Sequence, residues 1–171
     1  MRSRNVARLV CAGVFVGGLV ACARGGPAVA PQSLRSFGPS DTPITRSGVI
    51  ADEGGWRIEQ ASAGSVALFE VPKPGIEHTT LSYRARLKAD GVRGKAYLEM
   101  WVRVPGRGEF FSRGLAQPVH GSQGWASYEI PFFLNEPGVR PDLIKLNVAF
   151  EGGGGTVWIK DVELLQTPLA G

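Results

Sequence analysis

Tyr97, Glu99, Trp101 and Arg103 recur at every second position of one extended segment, so two aromatic rings, a carboxylate and a guanidinium project from the same side. That mixture suits a polyhydroxylated ligand. A flat ring packs against the apolar C–H face of a pyranose, while carboxylate, amide and guanidinium groups satisfy its hydroxyls. Arg84, with Ser82 and Arg86, or Asn147, with Lys145 and Glu151, can project beside them from other strands of the same or the opposing sheet. The candidate ligand-binding residues are therefore Tyr97, Glu99, Trp101, Arg103, Arg84 and Asn147. A structural use of the same side chains stays open. Outward aromatics stabilise sheets through cross-strand pairs or lie beneath a loop, and interleaved charges keep a face soluble.

A second candidate is the connection 105–123, which carries Arg107, Glu109, Phe110, Phe111, Arg113 and His120 and would rim one end of the domain. Phe110 and Phe111 are expected to fold back as a short edge strand capping the core rather than to touch a ligand. Catalytic material is sparse. The chain has two histidines, His78 and His120, no metal-ligand spacing and no serine in a nucleophile elbow. The best enzymatic pairing would be Glu99 with Glu129 or Glu151 as a glycosidase carboxylate pair, but close carboxylate spacing on one strand is absent. The glycine run 152–155 lacks the lysine and helix start of a phosphate cradle and reads as a tight turn. No enzyme activity and no cofactor are expected.

The elements that must position these residues are strands. Leu81, Tyr83, Ala85 and Leu87 alternate with Ser82, Arg84, Arg86 and Lys88; Ala96, Leu98, Met100, Val102 and Val104 alternate with the candidate residues. Ile144, Leu146, Val148 and Phe150 repeat the pattern, as do Val157 and Ile159. Segments 124–134 and 64–71 supply two more strands, and 48–60 one or two. Gly and Pro punctuate the junctions, at Pro72-Lys73-Pro74-Gly75, Asp90-Gly91, Pro105-Gly106 and Pro137-Gly138. Seven or eight antiparallel strands with such turns imply an all-β, two-sheet sandwich.

The chain begins differently. Arg2, Arg4 and Arg8 precede about a dozen apolar and glycine residues, the size of a signal-peptide core and too short to span a bilayer. Leu19-Val20-Ala21-Cys22 then resembles a bacterial lipobox. The resemblance implies removal of residues 1–21, acylation of Cys22 and anchoring on a lipid membrane without spanning it. Ala23, where that family places aspartate for inner-membrane retention, favours the outer membrane of a two-membrane cell. Without residues 1–21 the formal charge of +4 falls to 16 basic against 15 acidic side chains. The chain is then not basic enough to point to nucleic acid. Cys11 leaves with the signal and Cys22 is modified, so the folded part has no thiol for a disulfide or metal site. Residues 22–41, rich in Gly, Pro, Ala and Ser, read as a flexible tether with an r.m.s. reach of about 25 Å. The domain is then 42–167, with a tail at 168–171.

Three segments of the C-terminal half carry a further likeness: Gly124-Trp125-Ala126-Ser127-Tyr128-Glu129-Ile130-Pro131, then 142–150, then Gly155-Thr156-Val157-Trp158-Ile159-Lys160-Asp161-Val162-Glu163-Leu164. Together they resemble the galactose-binding-like jelly rolls shared by many carbohydrate-binding modules. The likeness covers about 81–165 and implies a jelly-roll sandwich, without naming a ligand. Some relatives hold a structural calcium near the last strand. Asp161 matches that place, but one aspartate is too few hard oxygen ligands, and no metal is expected. The sequence thus leads to an exported, lipid-anchored, non-catalytic domain in the cell envelope. A carbohydrate or envelope glycan is the leading ligand class, and a structural or protein-interaction role in an envelope complex is the alternative.

Overall fold

The computed structural model describes residues 29–169, and every regular element among them is a strand. In chain order they are β1 (Gln32–Phe37), β2 (Val49–Asp52), β3 (Gly55–Gln60), β4 (Gly64–Pro72), β5 (Thr79–Val104), β6 (Gly108–Arg113), β7 (Val119–Leu134), β8 (Leu143–Glu151) and β9 (Gly155–Pro168). All pairings are antiparallel. The first half of β5 lies between β7 and β9, and β9 carries β1 and β3 on its other side, with β2 beyond β3. The second half of β5 lies between β6 and β8, with β4 beyond β8. The result is the all-β sandwich expected from the alternating sequence, its two sheets joined through one strand.

That shared strand departs from expectation. Segments 81–88 and 95–104 were to be separate strands around an Asp90-Gly91 turn, yet β5 runs unbroken for 26 residues. Register shifts between Leu87 and Ala96, with Gly91 at φ 60 and Gly94 at φ 77, bend the strand without ending it. The bend packs on the β8–β9 turn. Arg93 N–H donates to Gly154 O at 2.8 Å. A Cβ on Gly94 would sit 2.1 Å from Glu151 O, and one on Gly154 2.1 Å from Gln60 O. Here, at what we call the glycine end, β5, β8–β9 and β3–β4 all pass from one sheet to the other. The opposite end holds the β4–β5 and β7–β8 crossings and the β5–β6 hairpin.

Two boundaries also move. Residues 32–37, assigned from sequence to the tether, form β1 against β9, because Phe37 and Leu34 have an apolar surface to cover. Phe37 is buried and stacks on Phe69 at 4.1 Å, and Trp56 meets the same ring edge-on at 5.0 Å. The connection 105–123 is not a loop: β6 pairs back onto β5, as the edge-strand reading of Phe110 and Phe111 expected, and β7 starts at Val119. Residues 1–28, with the signal segment and Cys22, lie outside the described residues, as do 170–171.

The core collects the inward residues of both halves of β5 with Ile144, Leu146, Val148, Val157 and Ile159. Tyr83 is fully buried among them, and its hydroxyl has no hydrogen-bond partner among the described residues. Burial pushes that phenol well above its ordinary range. Tyr83→Phe is therefore expected to leave stability unchanged or raise it by about 1 kcal/mol in denaturant titration, since it removes an unpaired polar atom without removing the ring. Phe37→Ala should cost about 3 to 5 kcal/mol in the same measurement. A chain begun at residue 42 should be destabilised at least as much against one begun at 29; equal midpoints would mean that β1 is an appendage.

Candidate ligand-binding site

The outward face of the sheet β6-β5-β8-β4 is a register grid. Arg113, Glu99, Asn147 and Ala67 form one row across the strands, and Phe111, Trp101, Lys145 and Glu70 the next. Period two turns these side chains away from the core, where Leu98, Met100, Leu146 and Val148 face inward. Between the rows lies an open depression of ≈ 370 Å³ bounded by Ser65, Glu99, Trp101, Glu109, Arg113 and Asn147, among others. Trp101 is its aromatic wall; Phe111 packs beside Trp101, the rings tilted by 46° at 5.0 Å, and the Arg113 guanidinium lies 4.5 Å from the Phe111 ring. Phe111 is 53% exposed.

Glu99 forms the floor. It is 1% exposed, and Arg113 Nε donates to its Oε2 at 2.7 Å while Ser65 Oγ and Asn147 Nδ2 donate to Oε1 at 2.6 and 3.2 Å. Burial opposes its charge, but the hydrogen bonds of Ser65, Trp101, Asn147 and Arg113 outweigh burial and hold the carboxyl below its ordinary value. Glu99 is thus a buried carboxylate, not a proton donor. Asn147 is 7% exposed, and its Nδ2 also reaches Ser65 Oγ at 3.1 Å. Its Oδ1 accepts nothing among the described residues, leaving a buried acceptor beside the groove. Lys145 Nζ donates to Glu109 Oε1 at 2.7 Å across the aromatic row.

The six residues singled out from sequence therefore part company. Glu99, Trp101 and Asn147 meet in the groove. Arg103 is on the same face but one row further, clasped by Asp142 at 2.8 and 3.1 Å. Those hydrogen bonds hold the Asp142 carboxyl below its usual range. Tyr97 is buried: Gly114 packs against its Cβ, and its hydroxyl donates to Glu151 Oε2 at 3.0 Å. Burial, then the Glu151 contact, raises its pKa. Arg84 belongs to the other half of β5, on the outer face of the opposite sheet, beside Glu163 at 3.4 Å. The bend in β5 separates it from the groove.

The glycosidase pairing dissolves in the same way. Glu129 faces Arg84 on the opposite sheet. Glu151 pairs with Lys95, four residues along β5 from Glu99, and its carboxylate is taken up by the Tyr97 hydroxyl. No group of three or more ligating side chains is placed to hold a metal among the described residues. Glu109 and Arg113, named from sequence as rim residues of 105–123, line the groove instead, and Glu109, Phe111 and Arg113 alternate with period two. Phe110 and Phe111 do not cap the core; they are 45% and 53% exposed. Ser65 and Glu70 carried no signal, because only the β4–β8 register brings them beside Glu99 and Trp101.

No family model matches the sequence, and no curated protein does. Among solved structures the chain is similar to the CBM22-1 xylan-binding domain from Paenibacillus barcinonensis Xyn10C, at 10% identity and a TM-score of 0.52, over 84% of this chain and 99% of that one. It is similar also to a family 4 carbohydrate-binding module (14% identity, TM-score 0.48, 77% and 78% coverage). A family 29 module follows (18%, 0.45, 78% and 78%). The first of these likenesses shows the fold, a β-sandwich of the kind carbohydrate-binding modules use.

Glu99→Gln should cost about 1 to 3 kcal/mol at neutral pH, because the variant loses the charge that the three donors face. The folded-state pKa of Glu99 is depressed, so its contribution is complete above the unfolded carboxylate value and fades as pH falls through the folded one. The gap in melting temperature between wild type and variant should accordingly be constant from pH 7 to about 5 and close below about pH 4. A gap that widens on acidification would contradict an ionised Glu99.

Proposed function

We propose that the chain is an exported, lipid-anchored, non-catalytic domain that binds a carbohydrate or cell-envelope glycan in the groove of Trp101, Glu99 and Asn147, beside Phe111. The observation that carries the reading is the unpaired Asn147 Oδ1, buried next to an aromatic wall. A hydroxyl donated to that oxygen would satisfy it while the sugar's C–H face lies on Trp101 and Phe111. The xylan-binding domain of similar fold supports a glycan as the ligand class. A buried carboxylate held by three donors, with Glu109 engaged by Lys145, supports binding without hydrolysis. The same polar floor argues against a flat protein-docking patch, which would be apolar across its centre.

Anchoring rests on the lipobox resemblance at Leu19-Val20-Ala21-Cys22. The partners are then a lipid membrane, through acylated Cys22, and a glycan ligand, with an envelope protein as the alternative.

Two measurements test this reading. On a glycan array, the chain lacking residues 1–28 should bind a defined set of sugars, and Trp101→Ala should weaken that binding about tenfold or more, equivalent to about 1.4 kcal/mol. An unchanged array signal removes Trp101 from the site; capture of an envelope protein with no sugar bound gives the function to the alternative. In cell fractionation, Cys22→Ser should move the chain from the membrane to the soluble fraction, and a variant that stays membrane-bound refutes the anchor.

A further inference from the structure

The end of the sandwich opposite the glycine end carries an apolar cleft of ≈ 140 Å³, lined by Val104, Phe110, Phe132, Phe133, Leu134 and Val139. It opens where the free edges of β6 and β7 meet, and two of its phenylalanines, Phe110 at 45% and Phe133 at 60%, are exposed. Arg107 and Arg140 border this end, each paired, with Glu136 at 2.6 Å and Glu77 at 2.9 Å. The rim is therefore nearly neutral.

The chain enters the fold at this same end. Gln32 pairs with Gln166 of β9, and Pro168, two residues on, pairs with Thr79, which pairs on its other side with Leu134 of the cleft. With β1 starting at Gln32, only residues 23–31 separate the strand from Cys22. Fully extended, that stretch spans no more than about 35 Å, and as a flexible chain about 17 Å. The nine residues of β8 put the glycine end roughly 30 Å further away.

We propose that this end is a membrane-docking surface, with Phe110 and Phe133 inserted among the lipids of the bilayer to which Cys22 is anchored; the inference rests on the anchored reading above. Two observations converge on it: the short root of the chain emerges at the same end of the sandwich as the cleft, three strands across the sheet from β7, and exposed aromatic rings surrounded by paired charges match an interface of zwitterionic headgroups. Aromatic rings at the headgroup level add to the hold of the acyl chains and fix which way the domain points.

The full chain, isolated with its anchor and reconstituted in phosphatidylcholine vesicles, provides the test. An environment-sensitive fluorophore is attached at Phe133→Cys and, separately, at Ser62→Cys on the exposed β3–β4 turn of the glycine end. The expected result is a blue shift and several-fold stronger quenching by nitroxide-bearing lipid at 133 than at 62. Phe110→Ser should reduce the effect at 133. Equal quenching at the two positions overturns the proposal. So does a blue shift at 133 already present without lipid and accompanied by a dimer in sedimentation equilibrium, which would give the cleft to a second copy of the chain. Intact mass reads acylation of Cys22 on the same sample, so a missing anchor is recognised separately. In that case pelleting of the unacylated chain with vesicles, lost in Phe110→Ser/Phe133→Ser, supports docking, and its absence overturns it.

Discussion

The close approach of two glycine segments, 91–94 in the bend of β5 and 152–155 between β8 and β9, is the contact on which the remaining architecture depends. One strand can serve both sheets only if it turns without losing its ladder, and the turn leaves no room for a Cβ at Gly94 or Gly154. The hydrogen bond from Arg93 N–H to Gly154 O ties the bend to the turn. Because β5 pairs with β7 and β9 before the bend and with β6 and β8 after it, the bend decides which outward residues share a face. Tyr97, Glu99, Trp101 and Arg103 end up on one sheet and Arg84, Arg86 and Lys88 on the other, although all belong to a single strand.

Both outer faces carry tryptophans, and their surroundings separate their roles. On the β7-β5-β9 face, Trp158 has the Lys88 ammonium 4.2 Å from its ring, and Trp125 has Lys160 at the same distance. Their indole N–H groups donate to Asp52 at 2.9 Å and Glu53 at 3.1 Å. Each ring is thus engaged by cation and carboxylate from its own sheet, an arrangement that stabilises the face. On the other sheet Trp101 has Phe111 as aromatic neighbour, and in the adjacent row Asn147 holds a buried acceptor without a donor among the described residues.

The legible part of the fold was what period two encodes. Alternation in 81–88, 95–104 and 144–151 assigned the inward and outward sets correctly, and those sets define the core and the groove face. What was not legible depended on contacts distant in sequence. Asp90-Gly91 has the composition of a turn, and only packing against Gly154 shows that the strand continues through it. The 22–41 segment has the composition of a tether, yet Phe37 stacks on Phe69, more than thirty residues away, and becomes core. Arg84 and Asn147 looked equivalent as neighbours of Glu99; the β5–β8 register admits Asn147 and the bend excludes Arg84. Tyr97 shares its face with Trp101, but the chain folds back at Gly114 and covers it.

The two proposed surfaces are compatible because they occupy different parts of the sandwich. The strands of the groove sheet run from the glycine end to the end that carries Phe110 and Phe133. With that latter end on a bilayer, the strands stand away from the membrane and the outward face of β6-β5-β8-β4 opens sideways. The rows Arg113-Glu99-Asn147 and Phe111-Trp101-Lys145 run across the strands, so a chain-like ligand following them would lie along the membrane rather than point into it. With nine residues between Cys22 and β1 instead of the nineteen read from composition, the proposed anchor would restrict the direction of the groove more than a longer tether would.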